Sequence, residues 1–206
     1  MQDLNSLRIK LTDMSGVALG MLKLTYRAFM EHDLDLLSAA LNEETRLNDF
    51  NMKLTADLVE LGRSPQIQKE EKAKIIVFTD VVGDLELIGD YCKDILERVQ
   101  IKIEEKLLFS DVAVKEYGEL YLKTEKALEE VVLALERDNP YLLKGVLNKQ
   151  GHIDSLVDEY RKRHNQRLIE GVCSPFACNM FLNMLDFTAA IYYHVQKITR
   201  NLANIK

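Results

Sequence analysis

Only three prolines punctuate the 206 residues, and each stands directly behind a residue suited to cap a helix: Ser64-Pro65, Asn139-Pro140 and Ser174-Pro175. Proline breaks a helix interior but fits the first turn, where its missing N–H has no partner to lose. A chain that confines its prolines in this way has room for long helices and little for a loop-rich or all-β fold. The apolar residues agree. Leu7, Leu11, Met14, Ala18 and Leu22 recur three or four apart, which places them on one face of a first helix. A second helix is predicted over about 34–61, with Leu37, Leu41, Leu47, Leu54 and Leu58 turned inward. A third runs from the region of Pro65 to about Lys106, roughly 40 residues and about 60 Å long at the helical rise. No stretch shows the alternating β-branched pattern of a strand.

The breaks carry boundary chemistry. Asp33 is suited to cap the second helix, Gly62 to stop it, Ser64 to cap the third, and Ser110 the fourth. With Pro140 and Pro175 opening the last two, the count is six helices on short connections, so neighbours run antiparallel. The chain also reads as duplicated: Leu36-Leu-Ser-Ala-Ala-Leu-Asn42 resembles Leu142-Leu-Lys-Gly-Val-Leu-Asn148. The expected fold is all-α, two tandem three-helix bundles over residues 1–106 and 107–206.

Composition narrows the function. A net charge of −6 disfavours nucleic acid as a partner, since a phosphate backbone needs a basic surface. No apolar run reaches the length of a membrane span. Three cysteines argue against a disulfide framework and fit a reducing cytoplasm. The chain carries no Gly-x-Ser-x-Gly, no His-Glu-x-x-His, no phosphate-cradling glycine loop and no Glu-x-x-His pair of the ferritin-like kind, so no enzymatic activity is expected.

The third helix holds the most distinctive stretch. Val81, Leu85, Ile88, Cys92, Ile95 and Val99 form its apolar face. Glu86 and Asp90, one turn apart, fall nearly opposite that face, and Asp94 and Glu97 continue the acidic side. Carboxylates at this spacing can clamp a hard divalent cation or iron through oxygen. A solvated acidic face is the plainer reading, because like charges at this spacing cost only about 0.2–0.5 kcal/mol. Gly83 and Gly89 each cost about 1 kcal/mol inside a helix, which points to close packing or a ligand there.

The run Asp84-Leu-Glu-Leu-Ile-Gly-Asp-Tyr-Cys-Lys-Asp-Ile95 resembles the signature of the PhoU family, leucine–glutamate–arginine–isoleucine–glycine–aspartate ending in asparagine–isoleucine. Leu87 replaces the usual arginine and Asp94 the usual asparagine. Phe29 to Leu41 resembles the start of that family's second helix, and the family's tandem three-helix bundles fit the duplication. Leu108-Phe-Ser-Asp111 and Arg163 to Cys173 are similar to the PhoU-like cytosolic tails of bacterial sodium/phosphate cotransporters. The resemblance implies a regulatory module of phosphate uptake or signalling. Its partner would be a membrane phosphate transporter or a phosphate-signalling protein, with a homodimer as one possible assembly. It also implies a metal-binding Glu-x-x-x-Asp pair in each bundle, with Glu86 and Asp90 as the first. Aligning Ile198 with Ile95 puts Ala189 and Tyr193 at the second pair, so that site is expected to be lost. A metal-binding helical protein and a structural dimerisation module are the alternatives.

Other residues carry less. Cys173 and Cys178 flank Ser174-Pro175 and suggest zinc, but no Cys or His pair with matching spacing accompanies them, and they read as ordinary thiols. His194 reads as packing or surface, His152 and His164 as solvated. Gly16 and Gly20 suggest a close helix crossing. Arg161, Lys162, Arg163 and Arg167 read as a solvated helix end, with an acidic partner or lipid headgroup as the alternative.

Overall fold

The computed structural model describes residues 3–148 and 150–205, and among these every regular element is helical. The elements are α1 (Leu4–Glu31), α2 (Leu34–Gly62), α3 (Lys69–Glu104), α4 (Asp111–Glu136), a 3-10 turn (Pro140–Leu143), α5 (Lys144–Leu147), α6 (Gln150–Ile169) and α7 (Pro175–Ala203). The all-α expectation holds, with six long helices and one short one. None of the described helices is long and apolar enough to cross a membrane.

Four caps sit where the sequence puts them, among them Asn139, whose Oδ1 accepts from Tyr141 N–H at 3.1 Å at the start of the 3-10 turn. Asp33 Oδ1 accepts from the backbone N–H of Asp35 at 2.7 Å and of Leu36 at 3.1 Å. Ser110 Oγ accepts from Ala113 N–H at 3.3 Å, and Ser174 Oγ from Ala177 N–H at 3.2 Å with Pro175 as the first helical residue. Pro65 departs from the expectation. It lies in a turn, where Ser64 accepts from Ile67 through its carbonyl, and α3 begins four residues later. There Glu71 reaches back to accept from Gln68 N–H at 3.0 Å, which supplies the start signal. The fifth helix is also not continuous from Pro140: a 3-10 turn and the four-residue α5 precede α6. Gly145 and Asn148, both weak helix formers, sit in this stretch. The two similar seven-residue stretches therefore differ in structure, one inside α2 and the other split between a 3-10 turn and α5.

Helix ends use left-handed residues that the sequence does not advertise. His32, Lys106 and Asp138 adopt positive φ after α1, α3 and α4. The chain then turns back so that Leu107 N–H donates to Lys102 C=O and Asn139 N–H to Ala134 C=O, each at 2.9 Å. These are the six-to-one bonds of a Schellman end.

α1 packs on α2, α3 and α4; α3 packs on α2 and along α7; α4 and α6 pack on α7. The buried apolar residues of both halves join in one core. The predicted faces of the first and third helices are fully buried, whereas Leu41 is only half-buried at the margin of α2. An added Cβ at Gly89 would come within 2.8 Å of Leu47 Cδ1, so this glycine lets α2 and α3 approach closely. Gly83, Gly16 and Gly20 have open space at the same position, so the close crossing expected of them is absent. Gly16 and Gly20 instead line a groove between α1, α2 and α4.

Candidate functional site

The close approach at Gly89 sets the environment of the carboxylates on α3. Glu86 and Asp90 are half-buried, not fully solvated, because α2 lies against the same turn and brings Glu44 toward them. Burial pushes the Glu86 carboxyl above its ordinary range, and repulsion from Asp90 and Glu44 adds to the shift. Glu44 is held by Lys93 Nζ at 3.1 Å and by Asn48 Nδ2 at 3.1 Å. Asp94 lies one turn further on. Burial raises its pKa, repulsion from Glu97 raises it further, and Arg98 opposes both. The arrangement suits a cation chemically, since the site gathers carboxylate oxygens that repel one another. It offers the ion a pair of ligands and not a closed cage: no three of these oxygens lie within 4.8 Å of one another.

Across the core, α7 has no carboxylates at the matching turn. Ala189 packs against the apolar core and Tyr193 is exposed, as the alignment with α3 implies. The polar chemistry of this interface lies at a residue that the sequence left unassigned. Asp84 is 1% exposed. Its Oδ1 accepts from His194 Nδ1 and from Lys197 Nζ, both at 2.9 Å. Its Oδ2 is buried and has no hydrogen-bond partner. His194 is fixed further by stacking on Tyr91, 5.8 Å between centroids. Thus α3 and α7 are tied two residues from Glu86, and His194 is a structural link and not surface. The sequence signal was the polar spacing His194-x-x-Lys197 on one helical face, which has no meaning until its partner on α3 is known. Asp84→Asn is expected to lower stability by about 1–2 kcal/mol, because a carboxylate bonded to a cation is exchanged for a neutral amide with a buried unpaired N–H. Urea unfolding with an unchanged m-value checks it.

The basic cluster is largely neutralised within the chain. Arg161 pairs with Asp186, Arg163 with Glu159, and Arg167 Nη2 reaches Glu116 Oε2 at 2.6 Å. Arg161, Lys162 and Arg163 keep solvent contact as expected, whereas Arg167 departs from the expectation and is drawn into the seam between α6 and α4. His164, also expected in solvent, is buried in the same region and stacks on Phe181 at 4.0 Å. Burial lowers its pKa to about 4, and the neighbouring Arg167 cation acts in the same direction.

The PhoU domain family model matches residues 11–99, a span that holds the Asp84–Ile95 run and its carboxylate pair. That stretch resembles a PhoU domain. Structural similarity to PhoU proteins extends past that span. The structure of PhoU from Pseudomonas aeruginosa superposes with a TM-score of 0.92 at 18% identity, covering 98% of this chain and 96% of that one. The phosphate transport system regulatory protein PhoU from Streptococcus pneumoniae gives 0.84 at 14% identity, over 97% and 92%. A PhoU-like protein from Shewanella oneidensis gives 0.62 at 11%, over 97% and 98%. At such identities these likenesses establish the fold alone, and they do so along nearly the whole chain, including the larger part that the family model does not reach. No curated protein sequence matches the chain.

Proposed function

We propose that this chain is a non-enzymatic regulator of phosphate uptake, working on the cytoplasmic side by contact with a membrane phosphate transporter or its signalling partners. The observation that carries the reading is the match of the PhoU domain family model to residues 11–99. The Streptococcus pneumoniae relative, a phosphate transport system regulatory protein, points to the process. The likeness of the Arg163–Cys173 segment to cotransporter tails favours a transporter as the partner. Long helix faces supply the contact surface, and Glu86 and Asp90 make it responsive to a hard cation, with water completing the ligand set and Asp94 adding charge one turn away. Deleting the gene in its host tests the role. Altered phosphate uptake or starvation signalling is expected, and unchanged uptake and signalling would sink the proposal.

The cation is tested separately. The purified protein is expected to bind one equivalent of manganese, iron or magnesium that the Glu86→Ala, Asp90→Ala double variant loses, measured by metal analysis after dialysis. Equal metal content in both proteins would leave the signature with a packing role alone.

A further inference from the structure

Among the described residues, one place brings three metal-ligating side chains together, and it lies away from the acidic turn of α3. A ring nitrogen of His164 and the sulfurs of Cys173 and Cys178 all lie within 4.8 Å of one another. The local fold explains the convergence. α6 carries His164 near its end; Gly171, at φ 72°, reverses the chain; Cys173 precedes the N-cap Ser174; and Cys178 stands in the first turn of α7, its N–H bonded to Ser174 C=O at 2.9 Å. Eight residues lie between His164 and Cys173, a spacing outside the short pairs by which zinc ligands are read from sequence.

We propose that His164, Cys173 and Cys178 bind one zinc ion, with the fourth position open to water or to a ligand from a partner. Four observations support this beyond proximity. His164 Nε2 is buried and has no hydrogen-bond partner, in a side chain 2% exposed, so a polar atom is held in this pocket with nothing to satisfy it. The ring is locked by its stack on Phe181. Both cysteines are free thiols. Cys178 is buried while Cys173 is half-buried, which gives the ion a route in and one face for an outside ligand. Two thiolates and an imidazole are a donor set for zinc-class ions and not for magnesium or calcium. Three protein ligands with an open fourth position is a recurrent zinc arrangement. Ligands around tetrahedral zinc sit roughly 3.3–3.8 Å apart given its bond lengths, so a contraction of about 1 Å closes the site.

The proton balance is defined. Arg167 Nη2 faces His164 Nδ1 at 3.1 Å and, as a cation, can only donate to it, so the neutral ring carries its proton on Nε2. Zinc takes Nε2, the ring proton moves to Nδ1, and Arg167 turns fully onto Glu116, which it already contacts. Each cysteine loses its proton to solvent, so two protons leave per ion, and two thiolates balance its charge.

Cobalt(II) is the probe, added to the reduced, metal-free full-length protein, followed by competition with zinc against a chromophoric chelator. One equivalent should produce an intense thiolate-to-cobalt charge-transfer band with tetrahedral d–d bands, and zinc should displace it. Cys173→Ser, at a half-buried position, should keep the helical circular dichroism, weaken zinc at least tenfold and reduce the charge-transfer band by about half. The Glu86→Ala, Asp90→Ala variant should keep the band unchanged, which separates this site from the proposed regulatory cation. A protein that gives no charge-transfer band, that binds zinc equally well as Cys173→Ser, or that only forms a Cys173–Cys178 disulfide overturns the assignment.

Discussion

Phe181→Ala is expected to cost about 3–5 kcal/mol, the range for emptying a fully buried aromatic site, with a fall in melting temperature on the order of 10 °C for a chain of this size. Phe181 is where four segments meet. Its ring lies 5.7 Å edge-on from Phe109 in the α3–α4 connection, 6.3 Å from Tyr117 on α4, and 4.0 Å in a stack on His164 of α6. It is completely buried, so truncation leaves a cavity that helices anchored at both ends close only in part. Phe181→Leu, which restores most of the volume, should cost about 1–1.5 kcal/mol. Chemical denaturation of the pair checks both, and equal losses would show that the ring contacts, not the filled volume, matter here.

Glu116→Ala should be nearly as damaging, about 3–5 kcal/mol, for an electrostatic reason. Glu116 is 5% exposed on α4 and accepts from Arg167 at 2.6 Å and from Arg163 at 3.4 Å. Arg167 is itself largely buried and its Nε has no partner. Removing the carboxylate strands a guanidinium in the seam between α4 and α6. Arg167→Met should relieve the penalty, so that Glu116→Ala costs at least about 1 kcal/mol less in that background than alone. Additive losses in the double-mutant cycle would count against direct pairing.

The fold is legible in the sequence because it rests on periodicity and capping, which are local. The buried stripe from Val81 to Val99 and the caps at Asp33, Ser110 and Ser174 can be read directly. The failures share one cause. Pro65 looks like a helix start because Ser-Pro is a start signal in isolation, yet the bond from Gln68 N–H to the Glu71 carboxylate marks the true beginning of α3. Arg167 and His164 read as solvated, and His194 as packing or surface with no partner assigned, because their partners Glu116, Phe181 and Asp84 lie 51, 17 and 110 positions away. Long-range pairing of polar groups has no period. The carboxylate turn of α3 is visible as a motif, but its half-buried state is not, since that depends on how closely Gly89 admits Leu47 of α2.

α3 runs 36 residues without a proline and spans about 54 Å at the helical rise. Such a rod behaves as a beam: it transmits displacement along its axis and does not fold in the middle. Its acidic turn is near the midpoint, and Asp84 beside it is pinned to α7. A pull on that turn therefore reaches both ends together, and the compliant points are the joints at residues 63–68 and 105–110. Where α3 swings as a unit against its chain neighbours, the motion is absorbed at those two joints.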